Sequence, residues 1–564
     1  MQKINKSNNY KIIALSFFAI SFILLIVGFL LFTSKTSIFM SNNVSATFDG
    51  STNYDIATYA DLCTFRDMVN NGTSFNGQTI NLTTNITMDS EISWNPIGSY
   101  APTRHFYGTF NGNGYNIDGL YMDITTVSRS WGLFGACNSA TIKNLNLINS
   151  NIVVTDAIEV SENYFAVSYL CGCAQYTKFI DCSIKGSMNI TIDNSDSHLS
   201  TVDALSVGPI CGYYISHGNN IFLGCVANTN DTVNLTNYPA LLYSGIAGGS
   251  GDYLYSCIVN STVNISKSTN LASDSLTYKN FDYTNYNVIN CVDNNIVTLS
   301  SSKSVNITLN GQNSIIAGEL NLLLSGSTKN VYTQGFNNIF LTDFTSVSTT
   351  YSDSSMNSYF YGYRNGVLTD TLGLGSDATY KSKSDIEALN WNPSLYWDFD
   401  YAWGFVADGY DITNILPTGW AYPVPLQAVM SFTSFYSTIV DPVFDYSIDT
   451  DSELYILVHL TNCGINFLGM TINLTADLDV SAVSWEPISV VSYFSATFNG
   501  NSHTISGITM ISGGYVNAGF VGSTVYSSFS NFYLTNVSYN FSSSITKHLG
   551  GLVLNVNLLI LMIF

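Results

Sequence analysis

Two stretches far apart in the chain carry one alternation of apolar and polar positions. In the first, Thr58 and Asp61 form a capping-box pattern, and Leu62, Phe65 and Val69 then recur at helical spacing on one face. In the second, Thr450 and Glu453 open the same pattern and Leu454 and Leu457 repeat it. Gly72 and Gly464 stand where such helices would stop. Each stretch continues with "TINLT", at 79–83 and 471–475, whose strict alternation predicts a strand. Trp94-Asn-Pro-Ile and Trp485-Glu-Pro-Ile follow, then Phe-Asn-Gly-Asn at 110–113 and 498–501. A Gly-apolar-apolar-Gly step ("WGLFGA" 131–136, "AGFVGS" 518–523) and a short strand ("IKNLNL" 142–147, "FSNFYL" 529–534) complete each copy.

After the first copy the theme persists loosely in 169–191, 209–236 and 244–266. Each unit has a small-residue glycine step, an apolar pair, a cysteine and an alternating strand. Cys182, Cys225 and Cys257 hold equivalent positions, and Cys291 is a fourth. Near-repeats of this length read as stacked coils, because one coil cannot bury its apolar face alone. The four cysteines are then expected as a ladder in the core. The glycine-rich "GTFNGNGYNIDGLYM", 108–122, is not a phosphate loop: no Gly-Lys-Ser/Thr follows, and its copy replaces Gly114 by Ser502. Its glycines and asparagines suit a bend, with Ile117 and Leu120 inward.

"WGLFGACNSATIKNLNLINSNIV", preceded by "WNPIG" and "FYGTFNGNGYNIDGLYM", resembles the GLUG-motif repeats of bacterial and protist surface proteins. The resemblance covers 58–300 and 450–553, and the later cysteine units are similar to the motif in degenerate form. It implies a right-handed parallel β-helix on an exported, adhesin-like surface protein. The chain departs from that pattern in its irregular coils and in a glycine-poor stretch around 270–350. In such proteins a Trp-rich segment ending in a strand similar to "AYPVPL" closes a module; here 385–426 holds Trp391, Trp397, Trp403 and Trp420. A sugar-stacking aromatic platform is the alternative use of those rings.

Residues 12–32 carry no charge and are long enough to cross a bilayer, with Lys3, Lys6 and Lys11 before them. The expected order is therefore a cytoplasmic N-terminus (1–11), a transmembrane signal anchor (12–32), a linker (33–57), a first β-helix module (58–426), a linker (427–449) and a second, apparently truncated module (450–564). The fold class is all-β, a parallel β-solenoid in two modules, each with a short N-terminal capping helix. Secretion after cleavage near Ala46 is the alternative to anchoring. The apolar end of the chain, from about 552, reads as a truncated coil or as a membrane-associated tail.

Composition narrows the chemistry. Of 564 residues only 10% are charged, with 39 acidic against 18 basic and a net charge of −21. A nucleic-acid surface would need a basic stripe instead. The ten cysteines show no zinc or redox spacing, and His is scarce. Asp181, Asp193, Asp196, Asp398 and Asp400 are the acids that a polysaccharide lyase or hydrolase would use, but none recurs with a basic partner. No catalytic residue, cofactor or metal ligand is expected. Within the repeats, Asn-x-Ser/Thr sequons fall at Asn71, Asn81, Asn85, Asn189, Asn230, Asn234, Asn260, Asn264, Asn306, Asn473, Asn536 and Asn540. The expected function is a cell-surface solenoid that binds a surface protein or glycan, or serves as structure. The alternatives are a carbohydrate-active β-helix enzyme and a non-functional family copy.

Overall fold

The computed structural model describes residues 53–324 apart from short breaks, strand backbone within 329–380 and parts of 403–429. It also describes 447–540 with breaks and strand backbone within 548–562. The chain divides into residues 1–51 and 52–564, and the coils belong to the second unit.

Nearly every strand pairs in parallel with its counterpart one coil away. Three consecutive coils show the plan. Phe134–Asn138, Thr141–Lys143 and Asn146–Thr155 form one turn. Cys171–Gln175, Lys178–Ile180 and Ser183–Asp193 form the next, and Cys211–Tyr214, Ile221–Leu223 and Val226–Thr236 the third. Phe179 lies in register between Ile142 and Phe222, and the Phe179 and Phe222 rings stack at 4.9 Å. Along 183–193, Ile184, Met188, Ile190 and Ile192 are buried while Lys185, Ser187, Asn189 and Thr191 are exposed. That period of two is what a strand with one buried face requires. Among the described residues the antiparallel pairs are Tyr363–Arg364 with Val367–Leu368, and Trp403–Gly404 with Val424–Pro425.

One corner of the coil needs left-handed backbone. Asn144, Asp181, Gly224, Ser256 and Asn290 occupy it in successive coils, with φ of 51°, 48°, 60°, 53° and 54°. Asn, Asp and Gly tolerate that conformation best, which explains the residue types. Directly after the last four of these corners come Cys182, Cys225, Cys257 and Cys291, all fully buried and unbridged. Burial pushes the Cys182, Cys225 and Cys257 thiols well up, so they stay neutral hydrophobes.

Both copies begin with a capped helix, α1 at Tyr59–Asn70 and α2 at Asp451–Asn462. The Thr58 hydroxyl accepts from the Asp61 N–H at 3.1 Å, and the Asp61 carboxylate accepts from the Thr58 N–H at 3.0 Å. Thr450 and Glu453 repeat both bonds at 3.2 Å. Leu62, Phe65 and Val69 face inward, and Phe65 meets Phe75 edge-on at 5.1 Å. The helix thereby covers the open end of the first coil.

Several expectations change. Among the described residues no helix is long and apolar enough to cross a membrane, and 12–32 lies outside them, so the transmembrane helix is withdrawn from the fold. The segments read as linkers end in strands: Asn53–Ile56 pairs with Thr79–Leu82, and Ser447–Ile448 with Asn473–Leu474. The glycine-poor stretch also remains coiled. There Val305–Gln312 pairs with both Ser275–Lys279 and Val288–Ile289, so one long strand replaces two sides and a corner. Finally, Val553–Val556 and Leu559–Met562 add a coil to Val521–Thr524 and Ser527–Ser530.

Candidate functional site

The longest side of the solenoid presents an outward surface of Asn, Ser and Thr. Successive coils align Asn189 with Thr232, Thr232 with Asn264, and Asn264 with Thr298. A neighbouring column runs Thr191, Asn234, Ser266 and Ser300. Backbone hydrogen bonds are spent within the sheet, so contacts made by these two columns come from short uncharged side chains.

The sequons fall into two environments. Asn189, Asn230, Asn234 and Asn264 are exposed on this surface, as are Asn71, Asn85 and Asn536 elsewhere, while Asn260 and Asn306 are half-buried. Asn81 and Asn473 belong instead to asparagine ladders at the corner. The Asn81 amide oxygen accepts from Asn111 at 3.3 Å, and Asn111 accepts from Asn144 at 3.3 Å. The second copy repeats this with Asn473, Asn499 and Asn531 at 3.3 and 3.4 Å. The side chain of Asn540 lies outside the described residues.

The first outward column of the same side changes character along the axis. It runs Asn116, Asn146 and Ser183, then Val226, Ile258, Val292 and Ile315. The apolar part is buried under the Trp-rich segment: Trp403, Ile412, Leu416 and Val424 share one core cluster with those four residues. Trp403 donates its ring N–H to the Asn290 side-chain oxygen at 3.2 Å. The described part of that segment therefore lies along the flank of four coils. Trp391 and Trp397 lie outside the described residues; Trp420 is half-buried and meets Tyr422 edge-on at 5.3 Å.

Where the column is still polar, a groove of about 760 Å³ opens beside Ile415 and Val429. A second hollow of about 360 Å³ adjoins it, and both are lined by Lys185 and Asn228.

Among the described residues the candidate acids do not come together as a pair. Asp181 sits at a left-handed corner on the groove, and Asp193 is exposed at a strand end; Asp196, Asp398 and Asp400 lie outside the described residues. Among the described residues no three His, Cys, Asp or Glu side chains are placed to hold a metal. The acid that matters structurally is one the sequence reading passed over. Asp231 is fully buried, accepting from Tyr169 and Tyr243 at 2.5 Å and from Thr229 at 2.9 Å. Burial pushes its carboxyl up, and those three donors pull part of the way back. Asp293 is likewise pushed up, to about 8, by burial. The available signal for Asp231 was its place in "NDTVNL", two residues before the inward Val233. Both acids are buried inside the coils and line neither of the two hollows above.

No family model matches the chain. It is similar to Halomucin of Haloquadratum walsbyi (strain DSM 16790 / HBSQ001), with 36% identity over 92 residues. That segment is 15% of this chain and spans only about 1% of that relative's length. Among solved structures, a "putative immunoglobulin A1 protease" from Bacteroides ovatus aligns over 67% of this chain and 93% of its own, at 13% identity and a TM-score of 0.34. A likeness at that level says nothing about activity.

Proposed function

We propose that this chain is an adhesin-like β-solenoid exposed at a cell surface, working by contact with a surface protein or glycan and not by catalysis. The observation that carries this reading is the long outward side, where Asn, Ser and Thr repeat in register through successive coils without a charged catalytic group. The motif resemblance to GLUG repeats and the short likeness to a protein named Halomucin support the same setting. Labelling intact cells with a membrane-impermeant amine reagent tests it. Labelling before lysis is expected; labelling only after lysis overturns the reading.

Modification would follow the two sequon environments. In a cell with N-glycosylation machinery, Asn189, Asn234 and Asn264 are the favoured acceptors, because their amides face solvent. Asn81 and Asn473 are poorer ones, since both are half-buried and their amide oxygens are already held by Asn111 and Asn499. Deglycosylation in heavy-oxygen water followed by peptide mapping reads this directly.

A further inference from the structure

We propose that the groove beside the Trp-rich segment binds a linear, uncharged glycan lying along the solenoid axis; this rests on the surface reading above. The floor is made one polar side chain at a time. Lys185 pairs in register with Asn228. Asn228, Asn260 and Asn294 directly follow Ala227, Val259 and Asp293, which pair across three successive coils. Asn294 donates to the Asn260 side-chain oxygen at 2.8 Å, which holds those two amides in a row. The larger hollow adds Asn146 and Ser183, linked at 2.6 Å. The two hollows share Lys185 and Asn228, so they form one track across several coils.

The chemistry of the lining selects the ligand. Each amide offers both donors and an acceptor, and a hydroxyl offers the same pair in one atom. A chain of ligand hydroxyls satisfies such a row wherever it lies. Ile415, Ala428 and Val429 supply an apolar wall, suited to the C–H faces of sugar rings. A peptide is a poorer fit. The sheet backbone is already paired, so it offers no open edge to an added strand. A polyanion is disfavoured too: Asp181 on the groove offsets Lys185, and the chain carries −21 overall. The larger hollow, about 760 Å³, falls within the range of ligand clefts, about 300 to 1,000 Å³.

The test uses the full-length chain made in bacteria, so that Asn230 and Asn260 stay unmodified. The probes are cellohexaose, maltohexaose and mannohexaose, with polygalacturonate as the acidic counterpart, measured by titration calorimetry. At least one neutral hexasaccharide is expected to bind. The double variant K185A/N228A and the groove-filling S183W should each weaken it tenfold or more, and Tyr176→Ala, at an exposed corner elsewhere, should leave it unchanged. If S183W does not fold, the double variant decides, since it only shortens side chains at the surface. No binding by folded protein, binding of polygalacturonate alone, or binding indifferent to the groove variants would each overturn the proposal. Surface labelling separates this from the broader reading. A surface-labelled protein that binds none of the probes refutes the glycan track alone. A glycan binder that labels only after lysis refutes the surface reading alone.

Discussion

The bend at 110–114 and its copy at 498–502 build the same corner with different residues. In the first, Asn111 donates to Asn113 at 2.6 Å and Asn113 donates to the Leu82 carbonyl at 2.7 Å. In the copy, Asn499 donates to Asn501 at 2.7 Å and Asn501 to the Leu474 carbonyl at 3.0 Å. Trp94 and Trp485 also match, each donating its ring N–H to a backbone carbonyl of the next coil, at 3.1 and 3.3 Å. The difference lies in the last residue, Gly114 at φ 78° against Ser502 at φ 70°. A Cβ on Gly114 would meet nothing within 4 Å, so the serine costs only backbone strain. Gly112 and Gly500 differ in kind, since a Cβ there would sit 2.3 Å from the Asn144 carbonyl oxygen or 2.0 Å from the Phe532 Cβ. The copy therefore keeps the glycine that packing demands and drops the one that only conformation prefers.

Removing a buried ring should produce the largest effect and show how separately the two copies hold together. Phe110→Ala and Phe498→Ala each delete a fully buried ring and should cost about 3–5 kcal/mol. In hydrogen exchange, the first should raise rates over 79–148 and the second over 471–535. Equal loosening of both regions by either variant would mean that the copies are one cooperative unit.

A smaller effect sets the copies apart by pH. The first module buries Asp293, whose carboxyl is pushed up to about 8. Its folded form holds a proton that the unfolded chain releases near pH 4, so stability is greatest in acid and falls as pH rises towards 8. Between pH 5 and 7 the loss should be on the order of 2–3 kcal/mol, about 1.4 per pH unit. Asp293→Asn should reduce that slope, leaving the part that comes from Asp231, whose carboxyl burial also pushes up. In the second module Asp477 is held below its usual range by the Thr504 N–H and His503. Its contribution has the opposite sign and disappears only as pH falls through the carboxylate range. Urea midpoints at the two pH values, read from exchange within each module, measure the contrast.

The smallest effect concerns the bend itself. Ser502→Gly should stabilise the copy by about 1 kcal/mol, and Gly114→Ser should destabilise the first module by a similar amount. If Gly112→Ser were as mild as Gly114→Ser, the distinction between packing and conformation would be wrong.

The coils, their inward Ile, Leu and Val, and both helix caps were legible because they depend on local rules repeated many times. The corner's Asn, Asp and Gly could be read one by one as turn residues, but their alignment into a single left-handed column appears only when coils stack. Strands of a few residues in the linkers were missed because Ser447–Ile448 has no period to detect. The course of the Trp-rich segment was missed for another reason. In the sequence alone, Val226, Ile258, Val292 and Ile315 are indistinguishable from inward strand residues, and only the register shows them facing out, under Trp403. Asp231 was hidden because its partners lie 62 and 12 residues away, in other sides of the coil.

Thiol accessibility tests the central claim, that inward and outward positions alternate in register through the coils. In a chain with Cys63 and Cys463 replaced by Ser, single cysteines at Asn189, Thr232 and Asn264 should react with maleimide within seconds. Those at Ile190, Val233 and Ile265, and the native Cys182, Cys225, Cys257 and Cys291, should react only on unfolding. Fast reaction at both sets of positions in the folded protein, or at the native ladder, would contradict the account.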